Sequence, residues 1–86
     1  PRFPNAHAAL GVALQRAGRP QEAAGHFLAA LADLPDQPQA LFGLAEALRA
    51  LGRPEQARRY YARFLEVAPP GMAGERAAAA RHAGGP

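Results

Sequence analysis

The stretch Leu14-Gln15-Arg16-Ala17-Gly18-Arg19-Pro20 returns as Leu48-Arg49-Ala50-Leu51-Gly52-Arg53-Pro54, carrying the tripeptide Gly-Arg-Pro at a separation of 34 residues. In both copies a glycine stands where a helix ends at least cost, because a residue without Cβ enters the left-handed conformation freely. Proline follows two residues on, at the first position of a new helix, where its missing N–H is harmless and its fixed φ is already helical. A stop and a start this close predict helix, tight turn, helix, twice over.

The same shift aligns Pro4 with Pro38, Ala6 with Ala40, Leu10 with Leu44, Ala13-Leu14 with Ala47-Leu48, Ala23 with Ala57, Leu31 with Leu65, and Pro35 with Pro69. A constant period of this size is the mark of a repeat architecture. In the first helix of each copy, apolar residues recur at steps of three and four: Leu10, Leu14 and Ala17, then Leu41, Leu44, Leu48 and Leu51. The second helices run to about Leu34 and Ala68. One face carries Ala23, Phe27, Ala30, Leu31 and Leu34, and its counterpart carries Ala57, Tyr61, Phe64, Leu65 and Ala68. Pro35 and Pro69 close them, and Asp36 is the expected N-cap of the helix that enters at Gln37-Pro38. The only β-branched residues are Val12 and Val67, and no run alternates as a strand does.

These residues resemble the tetratricopeptide repeat, whose pattern over 34 residues is W-x₂-L-G-x₂-Y, then A-x₃-F, then P. The first copy reads His7-x₂-Leu10-Gly11-x₂-Leu14, Ala23-x₃-Phe27, Ala30 and Pro35; the second reads Leu41-x₂-Leu44-Ala45-x₂-Leu48, Ala57-x₃-Tyr61, Phe64 and Pro69. His7 and Leu41 stand at the Trp position, Leu14 and Leu48 at the Tyr position, and Phe64 where a small residue is usual. Small residues at Gly11, Ala23, Ala45 and Ala57 let antiparallel helices approach closely, with Phe27 and Tyr61 filling the space beside them.

The fold expected is therefore all-α: tandem antiparallel helical hairpins stacked as a short right-handed α-solenoid. Residues 4–37 form the first repeat and 38–71 the second; 72–86 form a partial third or a capping helix, from Ala73 to about His82, with a disordered end.

Composition narrows the function. The chain has 86 residues, ten basic and seven acidic, for a net charge of +3, and every basic residue is arginine. It has no Cys, Ser, Thr or Lys. The usual activated nucleophiles, disulfides, thiolate metal sites and P-loop chemistry are thereby excluded. No apolar run approaches the roughly 20 residues that span a bilayer, and no signal peptide is recognisable. Abundant Ala, Arg, Gly and Pro without Lys or Ile suggests a GC-rich bacterial genome, and a cytoplasmic location is expected with the periplasm left open. The start at Pro1, without methionine, is read as a piece of a longer protein.

The resemblance implies a protein–protein interaction or scaffolding module whose first helices line a concave groove for a peptide or partner protein; the alternative is a regulatory or targeting appendage of a fused enzyme such as a transferase. Carried over position by position, the binding residues are Asn5, Arg16, Gln39, Phe42, Glu46 and Arg49. Phe42 is the apolar anchor, Asn5 and Gln39 are backbone-pairing amides, and Arg49 meets acidic groups. One branch of the family grips a C-terminal carboxylate with Lys, Asn and Arg. The matching positions here are Ala8, Val12, Gly43, Ala73 and Ala77, whose side chains cannot hydrogen-bond it.

Three other readings are weaker. Arg58-Arg59-Tyr60-Tyr61-Ala62-Arg63-Phe64 interleaves arginines with aromatics as nucleic-acid surfaces do, but on a helix Tyr61, Phe64 and Leu65 turn inward while Glu55, Arg59, Arg63 and Glu66 form an outer charge ladder. Glu22 and His26, one turn apart, read as a surface pair and not as two ligands of a metal site. No catalytic residue, cofactor or metal is expected. Because each hairpin exposes an apolar flank, the chain is expected either to belong to a longer array or to form a homo-oligomer through those flanks.

Overall fold

The computed structural model describes residues 4–84, and among them are five helices and no strand. In chain order these are α1 (Pro4–Arg16), α2 (Pro20–Asp33), α3 (Pro38–Ala50), α4 (Pro54–Val67) and α5 (Ala73–Ala83). The disordered end expected after α5 falls on residues 85 and 86, outside the described residues.

The Gly-Arg-Pro turns are built as their chemistry requires. Gly18 and Gly52 take φ of +78° and +76°. In the first turn the Gly18 amide donates to the Gln15 carbonyl at 3.1 Å and the Arg19 amide to the Leu14 carbonyl at 2.9 Å. The second repeats this pair from Gly52 to Arg49 and from Arg53 to Leu48, at the same distances. This is the Schellman closure, which satisfies carbonyls that the helix end would otherwise orphan. Arg19 and Arg53 then hold φ/ψ of −120°/64° and −119°/64°, with proline opening the next helix. Identical chemistry has produced the same turn twice.

Asp36 does not cap α3. The N-cap is Gln37, and no side chain bonds the helix start. The Asp36 carboxylate is drawn instead to Arg63 of α4, which donates to it from Nε at 2.9 Å and approaches from Nη2 at 2.7 Å.

Hairpins α1/α2 and α3/α4 each pack on themselves; α2 lies against α3, α5 against α4, and α1 touches α3 directly. Small residues make these approaches possible. Ala8, Ala23, Ala30, Ala40, Ala45 and Ala47 are fully buried between the helices, while Tyr61, Phe27, Phe64 and Leu44 supply the largest buried side chains. Phe27 acts as a wedge: its ring sits so close to Gly11 and Gly43 that a Cβ at either would lie under 3 Å from it. Phe64, placed where the family pattern has a small residue, is completely buried and packs against Phe42, ring centroids 5.2 Å apart.

Position in the stack decides which leucines are covered. Leu44 is 1% exposed because α2 packs on α3, whereas Leu10, its equivalent in the first copy, is 46% exposed. Leu10 and Leu34 were expected on inward faces; Leu10 has no covering helix among the described residues, and Leu34 lies past the end of α2, 45% exposed.

Candidate peptide-binding face

Because α1 and α3 stand side by side, they share one surface, which the start of α5 borders. Two adjoining hollows lie there. One, of about 310 Å³, is lined by Val12, Arg16, Gln39, Phe42, Met72 and Glu75, with Gly43 at its base. The other, of about 170 Å³, shares Val12, Arg16, Phe42 and Gly43 and adds Gln15, Phe27 and Glu46. Glycine at 43 leaves room for the Phe27 ring.

Of the six residues expected to bind, Arg16, Gln39, Phe42 and Glu46 line these hollows, and Asn5 and Arg49 line neither. Asn5 is engaged across the α1–α3 seam, where its Oδ1 accepts from Gln37 Nε2 at 2.6 Å. Phe42 is half-buried, set edge-on to Tyr61 at 6.0 Å and tilted against Phe64. Phe42 is thus held in place by its aromatic neighbours.

Arg49 belongs to a small polar network that braces α3 on α4. Its Nε donates to the Tyr61 hydroxyl at 3.1 Å and its Nη2 lies 3.3 Å from the Glu46 carboxylate, while the Tyr61 hydroxyl donates to Glu46. Burial first, and then the hydrogen bond to Glu46, push the Tyr61 phenol up to about 12. Arg49 is raised above its ordinary value, chiefly by its bond to Tyr61. Neutral phenol, carboxylate and guanidinium therefore form one satisfied unit through the physiological range.

The α5 contributions, Met72 and Glu75, were missing from the sequence-derived set. The 34-residue register does not point to them, because it sets Met72 and Glu75 against Pro38 and Leu41, which line neither hollow. α5 is held by Ala79, fully buried, by Arg76 Nη1 donating to the Ala68 carbonyl at 3.1 Å, and by His82 stacked on Tyr61 at 5.2 Å.

The histidines find partners that spacing along one helix does not reveal. Glu22 pairs with Arg19, whose Nε donates to it at 2.7 Å, and His26 stacks on His7 with their Nδ1 atoms 3.4 Å apart. Among the described residues, no three His, Asp or Glu side chains gather as a metal-binding group, and no helix is long and apolar enough to cross a membrane.

The protein-family model described as Tetratricopeptide repeat matches residues 8–73, a span that runs from the first helix through both Gly-Arg-Pro turns to the start of α5. No curated protein matches the chain at a significant level. Repeats of this family mediate protein–protein interaction. With hairpins, turns, small-residue contacts and family pattern in agreement, the chain belongs to the tetratricopeptide repeat family.

Proposed function

We propose that the protein holds a partner protein by receiving an extended segment of it on the concave face of α1, α3 and the start of α5. The observation that carries this reading is the lining of the face: an apolar floor of Val12, Phe42 and Met72, with Arg16, Gln39 and Glu75 as its polar members. An apolar side chain of the segment sits on Phe42, the Gln39 amide pairs with its backbone, and Arg16 meets a carboxylate. Asn5, Glu46 and Arg49 keep the walls in place. In this reading residues 4–37 and 38–71 are two repeats and 72–86 begin a third, supported by the equal dihedral angles at Arg19 and Arg53 and by the contact of α5 with α4. The uncovered Leu10 flank supports stacking of a further helix or a second copy against α1.

The test is photo-crosslinking with a benzophenone side chain placed at Val12, at Gln39, or at exposed Arg58 on α4. Adducts to the same partner from Val12 and Gln39, absent from Arg58, are expected. A partner captured only from Arg58 overturns the assignment.

A further inference from the structure

Away from the hollows on α1, α3 and α5, α2 and α4 both pack on α3 and leave a trough between them, floored by Leu41, Leu44, Leu48 and Leu51. It consists of a hollow of about 540 Å³ and a second of about 240 Å³, which share Leu28, Gln56 and Tyr60. The first reaches Pro35 and Arg63 at the C-terminal ends of the two helices; the second reaches Gln21 and Arg53 at their N-terminal ends. The trough therefore follows α4 from Arg53 to Arg63, a length of roughly 15 Å at the α-helical rise, which matches about three turns of a helix lying in it.

Its two walls differ. The α2 wall is Ala24, Leu28 and Leu31, at helical spacing, and Leu28 is 51% exposed. The α4 wall is Gln56, Arg59, Tyr60 and Arg63, and Arg53 stands at its head. No acidic residue lines either hollow. Arg63 is held by Asp36 and Glu66, but Arg53 and Arg59 have no ion-pair partner among the described residues. An apolar wall facing a cationic one, with no carboxylate between, is complementary to one kind of surface: leucine-like side chains on one face and carboxylates along the adjoining edge.

We infer that this trough is a second docking site, distinct from the concave face, and that its occupant is an acidic amphipathic helix. Nucleic acid fits it less well. Grooves that take single strands combine cations with aromatic stacking platforms, and here Tyr60 is the one aromatic lining residue over a leucine floor.

The probe is a fluorescently labelled synthetic helix carrying leucines at helical spacing flanked by glutamates, followed by anisotropy. A lysine-for-glutamate version, an alanine-for-leucine version and a single-stranded oligonucleotide serve as competitors. Arg59 and Leu28 are exposed, so Arg59→Glu and Leu28→Gln are expected to keep the helical circular-dichroism spectrum. The glutamate–leucine helix is expected to bind, to lose about tenfold or more in affinity with either variant, and to be unaffected by Arg16→Glu on the concave face. The two altered peptides should fail to displace it. The inference is overturned if the helix does not bind, if the lysine version competes equally, if Arg16→Glu weakens it and Arg59→Glu does not, or if the oligonucleotide binds more tightly through Arg59.

Discussion

Two glycines on neighbouring helices should respond to the same substitution with opposite signs. Gly43 lies in α3 directly over the Phe27 ring: a Cβ there would sit 2.3 Å from Cζ, 2.4 Å from Cε1 and 2.8 Å from Cε2. Phe27 is fully buried. Forcing a methyl group into such a core costs about 1–3 kcal/mol, and three contacts this short place Gly43→Ala near the upper end. The helix-propensity gain of alanine over glycine returns about 1 kcal/mol, leaving a net loss of roughly 1–2 kcal/mol. For a domain of this size that lowers Tm by roughly 5–15 °C. Gly25, in the interior of α2, is exposed with nothing within 4 Å of its would-be Cβ, so Gly25→Ala keeps the propensity gain and raises Tm by roughly 4–8 °C. Thermal melts followed by circular dichroism measure both. Repeating Gly43→Ala in a Phe27→Leu background should remove the penalty, because the ring that causes it is gone. If Gly43→Ala stabilises the chain as much as Gly25→Ala does, the wedge role of Phe27 is refuted.

The glycine turn, the buried phenol and the bare flank each respond to substitution as well. Gly52→Ala places a Cβ at a φ of +76° and should cost about 1 kcal/mol, with Gly52→Asn costing less, read from urea midpoints. Tyr61 ionises near 10 when unfolded and is pushed up to about 12 in the fold by burial and by Glu46. The folded state then binds more protons than the unfolded one above pH 10, so stability should be steady below that point and fall by about 2–3 kcal/mol toward pH 12. Tyr61→Phe should flatten that decline in denaturation curves taken across the range. Light scattering on the chain and on Leu10→Gln tests the bare flank: association is expected for the first and a shift toward monomer for the second.

Local chemistry was legible and distant competition was not. Both Gly-Arg-Pro turns could be read from three residues because a positive-φ glycine and a helix-opening proline act within their own segment. Phe27, Tyr61 and Phe64 were readable as core because small residues at fixed spacing leave one place for an aromatic ring. Asp36 was misread as a cap because Arg63, 27 residues away, claims its carboxylate. His26 was paired with Glu22 by spacing on one helix, yet α1 brings His7 to it. Leu10 and Leu44 share a repeat position and differ in exposure, since periodicity reports the face of a helix and not whether another helix covers it. Four of the residues expected from position-by-position comparison, Arg16, Gln39, Phe42 and Glu46, lie together along the hollows of α1 and α3. Met72 and Glu75 were missed because the repeat register sets them against Pro38 and Leu41, which do not line the hollows. The trough between α2 and α4 needs helices of two hairpins to flank α3, so no single stretch of sequence announces it.

If the face built by α1, α3 and α5 does the holding, peptides selected on the chain by phage display bind there. The selected peptides are expected to share an apolar residue near an acidic one. They should lose binding when Phe42→Ala is combined with Arg16→Glu, and keep it with Arg59→Glu. Peptides indifferent to the Phe42 and Arg16 substitutions, with the protein still helical by circular dichroism, would contradict the account.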